Sequence, residues 1–155
     1  MQALALNNNQ IGDTGMIMFS EALATGALPQ LRALRLYKNQ IGNAGIIALA
    51  DACGRGALAS VTYLQLSWNQ IGDVGMQSFS TALVSGALTS CTTLNLAENQ
   101  IGDAGMEAFS GALAKGAMAH LQVSSLPNAL NRCLETWHAC SPGLIVSFDV
   151  PYTGA

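Results

Sequence analysis

The segment Leu31-Arg-Ala-Leu34-Arg-Leu36-Tyr-Lys-Asn39-Gln-Ile-Gly42 decides the fold, because its pattern recurs along the chain. The tetrapeptide Asn-Gln-Ile-Gly begins at Asn9, Asn39, Asn69 and Asn99, which is a spacing of 30 residues each time. The two leucine positions recur with it, at residues 4, 34, 64 and 94 and at residues 6, 36, 66 and 96. A fixed period of this length indicates repeated units that stack on one another to bury a shared core.

Each unit predicts one short strand followed by one helix. Leucines two residues apart lie on the same face of a strand, so that face is expected to be buried. Asp13 is predicted to be the N-cap of the helix. Met16, Phe19 and Leu23 have the spacing of one helical face, and Gly26 stands where a left-handed residue ends a helix. The pattern therefore predicts a helix of about ten to twelve residues.

The segment from Leu31 to Asn39 resembles the leucine-rich repeat L-x-x-L-x-L-x-x-N. The unit length and its helix are similar to the ribonuclease-inhibitor class, which includes that inhibitor, Ran GTPase-activating proteins and the repeat regions of NOD-like receptors. The resemblance covers four repeats, residues 1–122. It implies a right-handed α/β horseshoe fragment, a leucine-rich-repeat solenoid with parallel strands on the concave face and helices on the convex face. It also implies a structural ladder in which the repeated asparagines bond the turns of neighbouring repeats: Asn9, Asn39, Asn69 and Asn99.

Composition excludes several classes of protein. Half of the 155 residues are apolar and only 10% are charged, against a usual value of about 25%, so the chain is not intrinsically disordered. The net charge of −3 and the lack of a long basic block argue against a nucleic-acid partner. The sequence has no apolar run of about 18 to 20 residues and no signal peptide at its start, which predicts a cytoplasmic protein without a membrane partner. Cys53 and Cys91 occupy apolar positions of the repeat and are expected to be free thiols in a reducing compartment.

The sequence predicts neither catalysis nor a cofactor. His120 and His138 are the only histidines, and neither belongs to a recognisable catalytic constellation. Cys133, His138 and Cys140 lack a fourth metal ligand at a usual spacing. The glycine-bearing turn before each helix lacks the lysine of a phosphate-binding loop. We therefore expect a protein that is not an enzyme and holds no metal.

Binding specificity is expected at the variable positions of the strand segments. The candidates on the predicted concave face are Arg32, Arg35, Tyr37, Lys38, Tyr63, Gln65, Trp68, Asn95 and Glu98. Tryptophan, tyrosine and arginine are enriched at interface hot spots. The alternative is that Tyr63 or Trp68 packs only on a cross-strand neighbour. Trp68 stands where the other repeats have Asn8, Lys38 and Glu98, and an apolar ring there adds nothing to the core. We therefore predict a non-catalytic protein-protein interaction module that binds a protein partner and is part of a longer protein.

A second hypothesis is a regulator of a small GTPase, which the resemblance to Ran GTPase-activating proteins allows. Such regulators act by positioning groups and stabilising charge at the nucleotide. Arg32, Arg35 and Lys38 are the only clustered cations, and no residue can be assigned this role by a motif. A third hypothesis is that the chain is a piece of a larger receptor-like protein without an independent function.

The repeat pattern fails at the C-terminal end of the sequence. Residues 123–155 form a divergent tail in which Ser124 stands where a leucine is expected. Leu130, Leu134 and Trp137 fit a helix over residues 127–139, and residues 144–148 fit a strand. Two interpretations stay open: the tail is a C-terminal cap on the last repeat, or it is non-homologous sequence. At the other end no polar cap precedes the first strand, so we also expect self-association through open solenoid ends.

The cap interpretation predicts the effect of a truncation. If the tail covers the last repeat, deleting residues 123–155 should lower amide protection around residues 94–96 and increase self-association, because terminal repeats have only one neighbour. Hydrogen exchange and analytical ultracentrifugation on the full and truncated chains would measure both effects. Equal protection and an equal oligomeric state in the two chains would favour the non-homologous interpretation.

Overall fold

Strands and helices alternate along residues 2–125, which are the residues that the computed structural model describes. The strands are β1 (Ala3–Ala5), β2 (Ala33–Arg35), β3 (Tyr63–Gln65), β4 (Thr93–Asn95) and β5 (Gln122–Ser125). The helices are α1 (Asp13–Ala24), α2 (Asn43–Gly54), α3 (Asp73–Val84) and α4 (Asp103–Ala114). Each helix has 12 residues, as predicted, and the α/β repeat solenoid is confirmed.

The five strands form one parallel sheet in sequence order. Leu4 pairs with Leu34, Leu34 with Leu64 and Leu64 with Leu94, so equivalent leucines lie side by side. The helices pack in the same order, each against the next. Because every unit repeats the same strand and helix, one register positions the whole stack.

The core lies between the sheet and the row of helices. Leu34, Leu64 and Leu94 are fully buried at the centres of their strands, whereas Leu4 in the first strand is only partly buried. The helices contribute large side chains to the same layer: Met16, Ile46, Met76, Phe79, Met106 and Phe109. Burial of one such side chain stabilises a fold by about 1.5–3 kcal/mol, so repeats that have neighbours on both sides gain the most.

The sheet continues into the segment where the sequence pattern fails. A register shift between Leu94 and Asn95 places Val123 opposite Leu94 and Ser125 opposite Asn95. Because of this irregularity, Val123 and not Ser124 occupies the register position of the repeated leucines, as a β-bulge allows. The helix expected over residues 127–139, the strand expected over residues 144–148 and residues 126–155 of the predicted cap lie outside the described residues.

The repeated asparagines join the turns of adjacent repeats. The Asn69 side-chain amide donates to the carbonyls of Leu36 (3.0 Å), Leu66 (3.0 Å) and Ser67 (3.2 Å). Its Oδ1 accepts from the backbone N–H of Ile41 at 3.1 Å. Asn39 and Asn99 make the equivalent bonds to their own repeat and to the preceding one. The asparagines therefore satisfy backbone groups that the stacking of repeats removes from water.

Asn9 differs from the other three asparagines because it bonds only within its own repeat. Its side-chain amide donates to the carbonyls of Leu6 at 3.0 Å and Asn7 at 3.2 Å. Asn9 is exposed, while Asn39 and Asn69 are buried. In the described part of the chain the bonds between repeats are thus made by Asn39, Asn69 and Asn99.

A second ladder runs along the N-terminal ends of the helices, and it shows that the predicted N-cap assignment of Asp13 is wrong. The N-cap of α1 is Gly12, without a side-chain cap bond. Asp13 Oδ1 instead accepts from the backbone N–H groups of Gly42 (2.7 Å) and Gly45 (2.8 Å) at the start of α2. Asn43 and Asp73 act in the same way on α3 and α4. Each side chain therefore caps the helix of the next repeat, because that helix begins close beside it.

This capping requires a glycine in the first turn of the receiving helix. A Cβ atom on Gly75 would clash with Ile46 Cγ2 and would lie 2.7 Å from Asn43 Oδ1. A Cβ atom on Gly105 would lie 2.7 Å from Asp73 Oδ1. These glycines are thus explained by the close approach of one helix to the next. At the other end of each helix, Gly26 and its equivalents have positive φ angles of 80–93°, which confirms the predicted helix ends.

Asn69→Ala should destabilise the fold by about 3 kcal/mol, because it removes hydrogen bonds that join two repeats and leaves the buried Ile41 N–H without its partner. Asn9→Ala should cost less than about 1 kcal/mol, because Asn9 is exposed and makes no bond to another repeat. Urea-induced unfolding followed by circular dichroism measures both changes in the free energy of unfolding. Equal losses in the two variants would contradict the role assigned to the asparagine between repeats.

Gly75→Ala should destabilise the fold by about 2 kcal/mol through steric overlap between α2 and α3. The matched control is Gly111→Ala in α4, where an added Cβ atom meets nothing within 4 Å. This control should stabilise the protein by about 1 kcal/mol, because alanine is the better helix former. Thermal unfolding of the three proteins tests the opposite signs, and a stabilised Gly75→Ala variant would contradict the close approach.

Candidate functional site

The outward side of the sheet carries the variable residues of the repeats. Along each strand the central leucine points into the core, so the residues on either side of it point away from the core. Arg35 is exposed in this position, and Tyr63, Gln65 and Asn95 are partly buried. We call this surface the strand face and define it as residues 32, 33, 35, 37 and 38 of the second repeat with their equivalents in the other repeats.

Arg35 and Tyr63 form a contact between the second and third repeats. The guanidinium carbon of Arg35 lies 5.8 Å from the centre of the Tyr63 ring, which is within the range of a cation–π interaction. The Tyr63 hydroxyl donates to Gln65 Oε1 at 2.9 Å. Gln65 is the direct register partner of Arg35 in the sheet. The parallel register therefore brings three of the predicted binding residues together.

A second cation–π contact joins Lys38 and Trp68 in the turns that follow these strands. The Lys38 ammonium lies 5.7 Å from the centre of the Trp68 ring. Trp68 is 54% exposed, so the ring is not part of the core. The cross-strand packing that the sequence left open as an alternative does occur, but it leaves half of the ring accessible to a partner.

The backbone holds both residues of this second contact in an uncommon conformation. The φ angles of Lys38 and Trp68 are +55° and +56°, and those of Asn8 and Glu98 are +57° and +53°. The left-handed region is unfavourable for bulky side chains. The turn is fixed on both sides, because the N–H of Lys38 donates to Ser67 O at 3.0 Å and that of Trp68 to Ala97 O at 2.9 Å. The repeat geometry thus holds these four side chains at one outward position.

The remaining predicted binding residues lie around the two cation–π contacts. Arg32 is exposed beside the start of β2, and Tyr37 is partly buried in the turn after β2. Asn95 is engaged locally, since its Oδ1 accepts from the N–H of Ala97 at 3.0 Å. Glu98 is exposed in the fourth repeat. Sequence reasoning selected the cations and the rings separately, and it missed that they pair across repeats. The shared 30-residue register was the available signal for that pairing.

The described residues contain no cluster with the chemistry of a metal centre. No group of three or more histidine, cysteine, aspartate or glutamate residues among residues 2–125 is arranged to hold a metal ion. Over the same residues, no helix is both long enough and apolar enough to cross a membrane. Cys133, His138 and Cys140, which the sequence predicts not to form a metal site, lie outside this range. The strand face is the candidate site because it brings together two pairs of aromatic and cationic side chains.

The two described cysteines are buried free thiols. Burial, with a smaller contribution from the charge of Cys91, raises the pKa of Cys53 to about 12. Burial also raises the pKa of Cys91 to about 11, against backbone hydrogen bonds that lower it. Both thiols are therefore protonated at neutral pH, and a protonated buried thiol is a poor nucleophile. They pack as small apolar side chains.

Comparison with known proteins gives a family and a fold. The family described as Leucine Rich repeat matches residues 1–20, 28–50, 57–80 and 88–110. Leiomodin-1 Actin-Binding Site 2 is similar in structure, with a TM-score of 0.67 and 17% identity over 90% of this chain and 79% of that one. An internalin (inlF) from Listeria monocytogenes str. 4b F2365 has a TM-score of 0.44 and 19% identity over 99% of this chain and 48% of that one. No curated protein matches the sequence. At this identity the likeness to leiomodin-1 is one of fold alone.

Proposed function

The chain belongs to the leucine-rich-repeat family, and on this premise we propose that it is a non-catalytic module that binds a protein partner through the strand face. The observation that carries the proposal is the exposed Trp68 ring, which is held at a left-handed backbone position beside Lys38. Large aromatic residues that are accessible before binding are typical anchors of protein interfaces.

The rigidity of the turn supports this role. A side chain that is ordered before binding loses less conformational entropy when the partner arrives. The Trp68 turn is fixed by a backbone bond to the next repeat and lies beside the ladder residue Asn69. On the neighbouring strands, the cation–π contact between Arg35 and Tyr63 restrains both side chains. The strand face thus presents a prearranged group of aromatic and cationic side chains.

The size of the strand face favours a small interface. The five strands of the sheet, at a spacing of about 4.8 Å, make a surface about 20 Å wide between the axes of the outer strands. A standard interface buries about 800 Å² on each partner and uses about 20–30 residues. We propose that the partner contacts the second and third repeats, where the cation–π pairs lie, and does not wrap along an extended horseshoe.

The proposal also covers the repeat class, the extent of the repeats, the C-terminal tail and the location of the protein. The 30-residue unit with a 12-residue helix supports the ribonuclease-inhibitor class. We further propose four repeats over residues 1–122, a tail over residues 123–155 that caps them, and self-association when an end is open. The buried free thiols support a cytoplasmic location. Regulation of a small GTPase stays a prediction from the sequence resemblance.

The double variant Tyr37→Ala, Trp68→Ala tests the binding face. It should recover at least ten-fold less of the specific partners than the wild type in a quantitative pull-down, because loss of a hot-spot anchor costs about 2 kcal/mol or more. The matched control is Met18→Ala, Val74→Ala on the helices, where Met18 and Val74 are 67% and 59% exposed. The control should bind like the wild type. Equal recovery by all three proteins would overturn the strand-face assignment.

A further inference from the structure

Positive charge is concentrated on one repeat of the strand face. Arg32, Arg35 and Lys38 lie within seven residues and are three of the six lysines and arginines of the whole chain. We call them the cationic cluster. They lie on β2, just before it and in the turn after it, while the chain as a whole carries a net charge of −3. A protein that is acidic overall therefore presents a compact basic area on its candidate binding face.

The charge of the cationic cluster is not neutralised within the described structure. In residues 2–125 the one ion pair joins Arg55 and Asp51, which both lie away from the strand face. Arg35 and Lys38 rest instead on the Tyr63 and Trp68 rings. A cation–π contact orients a long side chain without cancelling its charge. The cluster therefore keeps both its charge and hydrogen-bond donors for a ligand.

The acidic residues are segregated from this area. Six of the acids in the described chain lie on the four helices: Asp13, Glu21, Asp51, Asp73, Asp103 and Glu107. Glu98 is the acid of the strand face, two repeats away from the cationic cluster. This separation directs a negatively charged ligand toward the second repeat and away from the helices.

From this charge separation we infer that the strand face binds an acidic segment of its partner protein. Carboxylates of the segment pair with Arg32, Arg35 and Lys38, and an apolar side chain of the segment packs on the exposed part of the Trp68 ring. The guanidinium groups suit carboxylates because they can donate two parallel bonds. This inference rests on the proposed function and adds the chemistry of the partner to it.

Binding of nucleic acid is the competing interpretation, since rings beside cations also suit stacked bases. Three clustered cations can neutralise only about three phosphates, and proteins that bind nucleic acid commonly make six or more such contacts. The rest of the described surface adds acids instead of further cations, apart from Arg55 and Lys115 beyond the ends of α2 and α4. The observed charge distribution therefore favours a short acidic peptide.

Fluorescence anisotropy on the full chain tests the inference with three labelled probes of similar length. The first is the peptide Glu-Glu-Glu-Leu-Glu-Glu-Glu, the second replaces each glutamate with glutamine, and the third is an oligothymidylate. We expect the acidic peptide to bind at least about ten-fold more tightly than the glutamine peptide, and also more tightly than the oligothymidylate. Raising the salt concentration should weaken this binding, because exposed charges are screened.

Matched variants locate the binding site for the acidic peptide. Arg35→Gln, Lys38→Gln should weaken binding by about ten-fold or more. Arg55→Gln, Lys115→Gln removes the same amount of charge outside the strand face and should change affinity by less than about two-fold, which excludes a general effect of net charge. Circular dichroism verifies that both variants keep the repeat fold. Equal weakening by the two pairs would overturn the inference.

Different results would overturn the acidic-partner inference and the proposed function. If the acidic peptide does not bind better than the other two probes, but Trp68 is still needed in the pull-down, the acidic-partner inference is overturned and the proposed function stands. If the oligothymidylate binds most tightly, nucleic acid replaces the acidic segment and the inference is also overturned. If neither the peptide nor the pull-down depends on the strand face, both the inference and the proposed function are overturned.

Discussion

The need to satisfy buried backbone groups at the repeat turns is the constraint on which the stack depends. A turn covered by its neighbour loses water, and an unpaired buried N–H or carbonyl group is costly. Asn69 meets this need with its two amide N–H groups, which are shared among three carbonyls, and with one accepted bond, and these bonds involve two successive repeats. Because the same side chain serves both repeats, it fixes their relative register as well as the shape of each turn.

The fixed turn also creates the candidate binding surface. Residues 38 and 68 occupy the left-handed position directly before a ladder asparagine, so the turn points their side chains outward and in line with each other. The leucines and the asparagine satisfy the core and the backbone, and the residues between them are free to vary. The chain uses that freedom to place Arg35 over Tyr63 and Lys38 over Trp68. The scaffold thus orders these side chains without burying them.

On the helix side of the solenoid, side chains of one repeat likewise pair with backbone groups of the next repeat. Asp73 Oδ1 accepts from the N–H groups of Gly102 and Gly105 in the next helix, and the absence of a Cβ atom on Gly105 lets the two helices approach. Polar groups at both ends of the strand-to-helix connection are therefore paired across repeats. The helices carry six of the seven acidic residues of the described chain, and two of these, Asp13 and Asp73, make such bonds. The strand face therefore keeps its basic character.

The sequence by itself determined the period, the inward leucines, the helix length and the helix end at Gly26, because these features depend on local spacing and on the conformational preferences of single residues. The tertiary structure alone decided which helix Asp13 caps, since its acceptor oxygen reaches N–H groups 29 and 32 residues away. It also decided the pairing of Arg35 with Tyr63 and of Lys38 with Trp68 and the register shift that gives Val123 the leucine position. These outcomes depend on the distance and register between neighbouring repeats, which the sequence of a single repeat does not specify.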